Sequence, residues 1–124
     1  MLKFALTCSI IALALTEAAC GNMGKDTSAP KTDPSIYYAV LLTNGAVYFG
    51  QLEGLGTAYP VLRDVYYVQS NVNQETKAVT NALVKRGKEW HSPDRMILNE
   101  KAIVLIEPVG KDSLVAQRIK ESKQ

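Results

Sequence analysis

The stretch YAVLLTNGAVYFGQL, residues 38–52, decides how the chain folds. Tyr37 to Leu42 and Val47 to Leu52 are short apolar runs rich in β-formers, with Thr43-Asn44-Gly45 between them. Asn-Gly between two such runs is the strongest short-range hairpin signal, because both residues tolerate the positive φ of a type I′ turn. Gly50 inside the second run predicts a bulge or sharp bend, as a small barrel needs.

The pattern continues to the C-terminal side. Pro60 to Gln69 (PVLRDVYYVQ) predicts a third strand, with Pro60 tolerable at its start. Ser70 to Lys77 reads as a polar loop, Val79 to Lys85 as a fourth strand and Arg86 to Asp94 as a loop. Met96 to Leu98 and Ile103 to Pro108 flank Asn99-Glu100-Lys101 and predict a last hairpin. Asp112 is placed to cap a short C-terminal helix, with Leu114, Val115 and Ile119 on one side. Five or six short strands in about 75 residues argue for a small barrel rather than a sandwich.

Before residue 36 the chain changes character. Lys3 is followed by the uncharged run FALTCSIIALAL, residues 4–15, and by small Ala18 and Ala19. This layout predicts a signal peptide over residues 1–19 and a working domain in the bacterial cell envelope. It is too short for a comfortable membrane span. Residues 20–35 are rich in Gly, Ser, Thr, Pro and charge and predict a flexible linker to a domain at 36–124. Cys8 falls in the apolar run, so Cys20 would be the lone thiol of the mature chain and no internal disulfide is expected.

The segment LTEAAC-GN, residues 15–22, resembles a bacterial lipoprotein signal, which implies lipid attachment at Cys20. Glu17 stands where that pattern has a Leu-like residue; ordinary cleavage and an uncleaved anchor are the alternatives. The stretches YAVLLTNGAVYFGQL (38–52), LRDVYYVQ (62–69), MILN (96–99) and IVLIEP (103–108) resemble a family of small bacterial proteins bearing a signal or anchor. Its pattern is AVxLTNGxVYFGxL, and it implies no activity. At fold level the 38–52 stretch is similar to the first motif of Sm-like and SH3-like barrels. That implies a mainly β, small Sm/SH3-like barrel of five to six strands with a short C-terminal helix.

Composition is that of an ordinary globular chain: 47% hydrophobic, 21% charged and net +2. That net charge is too weak to argue for nucleic acid. His91 stands with Ser92 and Asp94 in one loop, which rarely gives the convergent geometry of a catalytic triad. Glu89, His91 and Asp94 lack metal-site spacing, and no phosphate-binding glycine motif occurs. No enzyme, catalytic residue, metal or cofactor is therefore expected.

Two surfaces remain as candidates. All six tyrosines lie between positions 37 and 67. Tyr38, Tyr48, Tyr66 and Tyr67, with Trp90, are candidates for an aromatic contact surface. Cross-strand pairing that stabilises the sheet is the competing account. Lys85, Arg86, Lys88 and Arg95 form a local basic cluster suited to an anionic surface, or a solvated loop. The expected function is a non-enzymatic envelope interaction module that binds a protein partner or self-associates. A binder of cell-wall glycan or anionic lipid is the alternative. An Sm-like RNA-binding oligomer is a third, excluded if the N-terminus directs export.

Feeding a clickable fatty acid to bacteria that express the chain is expected to label the wild type and not Cys20→Ser. Equal label on both, or none on the wild type, excludes lipid attachment at Cys20.

Overall fold

The apolar alternation forms an antiparallel sheet in the computed structural model, which describes residues 27–124. The expected signal peptide, residues 1–19, and Cys20 lie outside the described residues. The strands are β1 (Tyr38–Leu42), β2 (Val47–Glu53), β3 (Val61–Val72), β4 (Val79–Lys85), β5 (Arg95–Ile97) and β6 (Ile103–Pro108). A 3-10 turn, Glu100–Ala102, precedes β6, and among the described residues one α-helix, α1 (Leu114–Glu121), follows it. The sheet order is β4-β3-β2-β1-β6, with β5 paired to β3. The fold is mainly β, as the sequence predicts, but the sheet does not close: β4 and β6 are its two ends.

Residues on one face of the strands meet in the core. Val40, Leu52 and Leu62 are fully buried, and Val65 and Leu98 nearly so. Tyr38, Leu42, Tyr48, Met96, Ile103 and Ile106 pack around them. Removing a side chain of this size from water stabilises by roughly 1.5–3 kcal/mol. Tyr66 and Ile119 are buried too but stand outside this cluster. Val65 and Tyr66 are neighbours on β3, so they point to opposite faces, and Tyr66 belongs to the face that α1 covers.

The β1–β2 turn is built differently from the expected type I′. Gly45 alone has positive φ (83°), and its N–H donates to Leu42 O at 2.9 Å. Leu42 N–H donates to Ala46 O at 2.9 Å. Three loop residues ending in a left-handed glycine form the type I turn with a bulge. Asn44 contributes through its side chain, whose Oδ1 accepts from Ala46 N–H at 3.0 Å.

The bend expected at Gly50 is present, and its partner is the more informative half. Phe49 faces Tyr66 and Gln51 faces Arg63, so Asp64 and Val65 on β3 together oppose Gly50. Asp64 adopts φ 49°, a left-handed conformation for which Asp is enriched. A Cβ on Gly50 would meet Arg63 O and Leu62 Cγ, each at 2.7 Å. Only glycine permits this approach.

Three boundaries differ from expectation. β3 runs on through Ser70–Val72, so that part of the expected loop is strand. It pairs with β4 from Tyr66↔Lys85 to Val72↔Val79 and forms a ribbon with exposed faces, which its polar sequence permits. β5 and β6 are not a hairpin: β5 pairs with β3 and β6 with β1. The 3-10 turn between them, capped by Asn99 Oδ1 accepting from Lys101 N–H, carries the chain across instead. Ser113, not Asp112, caps α1, its Oγ accepting from Ala116 N–H at 3.1 Å.

Gly50→Ala is expected to destabilise the domain by about 1–3 kcal/mol, through overpacking against Leu62 and the β3 backbone. Gly110→Ala, which would meet no atom within 4 Å, is expected to stay within about 0.5 kcal/mol of wild type. Urea unfolding of both variants measures the contrast.

Candidate functional site

The β3 bulge places one carboxylate at a fork in the sheet. β5 ends its pairing at Arg63 and β4 begins at Tyr66, so Asp64 sits between two strands that share one edge of β3. Asp64 Oδ1 accepts from Lys85 Nζ at 2.9 Å. Its Oδ2 accepts from Lys123 Nζ at 2.8 Å and from the Tyr37 hydroxyl. Lys123 also donates to Tyr37 Oη at 2.7 Å and lies 5.3 Å above the Tyr37 ring. Tyr66 stacks edge-on against Tyr37 at 6.2 Å and shares a hydrogen bond with Ser122 Oγ at 3.2 Å. An eight-residue helix is marginal by itself. Ile119, Ser122 and Lys123 tie its C-terminal end to the sheet.

Burial pushes the Asp64 carboxyl up, but hydrogen bonds from Lys123, Tyr37 and Lys85 outweigh it and hold its pKa down at about 2. Burial, with the Asp64 hydrogen bond, raises the Tyr37 phenol. Asp64 also raises both lysines, with Tyr37 assisting at Lys123. Every charge in this cluster has a partner, so it works as a structural clasp.

A cleft of about 370 Å³ opens beside the clasp, between β3, the end of β4 and the 86–95 loop. Three of the four expected basic residues line it: Lys85, Arg86 and Arg95. Each is engaged with an acid. Lys85 pairs with Asp64, Arg86 with Glu89 at 2.9 Å and Arg95 with Asp94 at 3.7 Å. Lys88 makes no ion pair among the described residues. Gly87, at φ 121°, turns the chain so that its N–H donates to Glu89 Oε2 at 2.8 Å. That amide, followed by the backbone of Glu89 itself and by Arg86, lowers the Glu89 carboxyl to about 2. The loop is thus braced, and Trp90 at its tip is fully exposed.

The tyrosines divide. Tyr66 is 1% exposed and drops out of the expected contact surface, because the bulge turns it under α1. Tyr38, Tyr48 and Tyr67 are half-buried. Tyr48 and Tyr67 face each other across β2 and β3 with ring centres 6.5 Å apart, and Arg86 caps Tyr48 at 5.7 Å. These rings stabilise the sheet, as cross-strand pairs do. His91, Ser92 and Asp94 are exposed, and Ser92 takes φ 44°. Among the described residues no three His, Cys, Asp or Glu side chains gather as a metal site. No helix there is long and apolar enough to cross a membrane.

Sequence reasoning missed the open strand at the end of the sheet. Among the described residues β6 pairs only with β1, yet it carries Val104 at 57% and Leu105 at 40% exposure. Ile97 on β5 is 63% exposed. The signal was the unbroken run IVLI at 103–106, where one buried face requires only alternate apolar residues. No protein-family model matches the chain, and no curated protein matches it.

The lowered Asp64 pKa sets an acid limit. Its folded value lies below its ordinary 3.8, so its stabilisation is complete above about pH 4 and is lost as pH falls toward 2. Allowing for solvent screening, that is on the order of 1 kcal/mol. Asp64→Asn is expected to lower stability by about 1–2 kcal/mol at pH 7 and to flatten the profile between pH 4 and 2. Urea unfolding across that range reads both.

Proposed function

We propose that the domain is a non-enzymatic interaction module of the bacterial envelope, tethered through its N-terminal segment, that binds a protein partner or a second copy. The carrying observation is β6, an end strand with an open edge and exposed Val104 and Leu105. Strands of this kind are usually blunted by Lys, Pro or a covering element, because their free N–H and C=O groups template pairing. Here the six residues carry one charge, Glu107, and Pro108 closes the far end. Pairing of an incoming strand supplies affinity through the backbone and specificity through alternate side chains. The bent six-stranded sheet supports an Sm/SH3-like small-barrel plan for the scaffold, since β3 serves two strands on one edge.

Trp90 favours a second reading. A fully exposed indole on a braced loop, beside Lys88, which makes no ion pair among the described residues, suits stacking on a cell-wall sugar or insertion at an anionic lipid surface.

A photo-crosslinking residue at position 104 of the full chain, irradiated in intact cells, is expected to yield one discrete adduct. The same residue at position 75, in the β3–β4 loop, is expected to yield none. Absence of an adduct at 104, with a strict monomer by light scattering, excludes the edge-strand reading. Binding to glycan or liposomes that Trp90→Ala abolishes supports the second.

A further inference from the structure

A second concavity, of about 420 Å³, lies where the approach to β1, the end of β6 and α1 meet. Its floor is apolar, formed by Ile36, Val109, Ala116 and Ile119. Its rim carries Lys111, Lys120 and Lys123. Long lysine stems cover apolar surface while their ammonium groups reach water, so one wall serves both tail and head of an amphiphile.

The charges around the groove are partly balanced. Lys123 is held by Asp64 at 2.8 Å. Asp33 is lowered chiefly by its Ser35 hydrogen bonds, and Lys111 adds to that effect from nearby. Lys120 has no ion pair among the described residues. Asp64 is shared with Lys85, so four ammonium groups (Lys85, Lys111, Lys120 and Lys123) stand against two carboxylates, and a net positive charge remains over an apolar floor. The volume is at the small end of ligand pockets, which run from about 300 to 1,000 Å³, and suits one alkyl chain rather than two.

We propose that this groove binds a single-chain monoanionic amphiphile, a fatty carboxylate. Its tail lies along Ile36, Val109, Ala116 and Ile119, and its carboxylate meets Lys120 with Lys111. The site does not include Val104, Leu105 or Trp90, and it stands whether or not those residues bind anything.

Amide NMR of the full chain, titrated below micelle concentrations with decanoate, decanol or decyltrimethylammonium, tests the assignment. Decanoate is expected to shift residues lining the groove and to bind at least about tenfold tighter than decanol. Acetate, which lacks the tail, is expected to shift none of them. Lys111→Glu with Lys120→Glu is expected to weaken decanoate at least about tenfold, with an unchanged thermal midpoint. Should that double variant unfold, Lys120→Ala gives the same test at an exposed position. Equal response to decanol or to the cationic amphiphile overturns the proposal. So do shifts confined elsewhere, unchanged affinity in the lysine variants, or no decanoate binding because a second copy or other chain segment covers the groove.

Discussion

One extra residue in β3 governs the rest of the structure. Leu62 and Val65 both belong to the core, yet they are three positions apart, which strict alternation forbids. The bulge at Asp64 absorbs the odd residue and returns Val65 to the inner face. It forms because Gly50 lets β2 come close enough, and because Asp tolerates the left-handed backbone that the bulge requires. The same residue parts β5 from β4 on the far edge of β3. A backbone irregularity of this size thus sets the shape of the sheet, the position of the cleft and the face on which Tyr66 lies.

The clasp shows how a short chain secures its last element. α1 has eight residues and one buried side chain, too little to hold by apolar contact alone. Asp64 gathers Lys85 from β4, Lys123 from beyond α1 and Tyr37 from before β1. Asp64 is partly buried, so losing a partner leaves its charge less well compensated than in water. The cluster therefore converts local strand geometry into a tie between chain segments 86 residues apart. Lys123 belongs both to this cluster and to the rim of the groove, whereas Trp90, Val104 and Lys120 stand exposed outside the cluster.

Much of the fold was legible from residues alone. Asn44-Gly45 marked the hairpin, Gly50 marked the bend, and the apolar runs placed most of each strand within a few residues. What misled was local polarity. Ser70 to Val72 look like loop, but they are strand because β4 supplies their backbone partners. Met96–Leu98 and Ile103–Pro108 look like a hairpin, but their closest partners lie on β3 and β1. The Tyr66-Tyr67 pair showed that one ring would be more buried than the other. Which one depended on the parity reset at Asp64, which no single strand reveals.

By itself the sequence determined the β-rich class, the first hairpin, the bend at Gly50, the short C-terminal helix and the clustering of basic residues around Trp90. Turn chemistry and alternation are local properties, carried by a few adjacent side chains. Tertiary structure alone decided which strands pair, that β6 is left at an open end, that Lys85 meets Asp64, and that three lysines share an apolar groove with Ile119. Those outcomes depend on contacts between residues far apart in the chain, and a single extra residue in β3 was enough to redirect them.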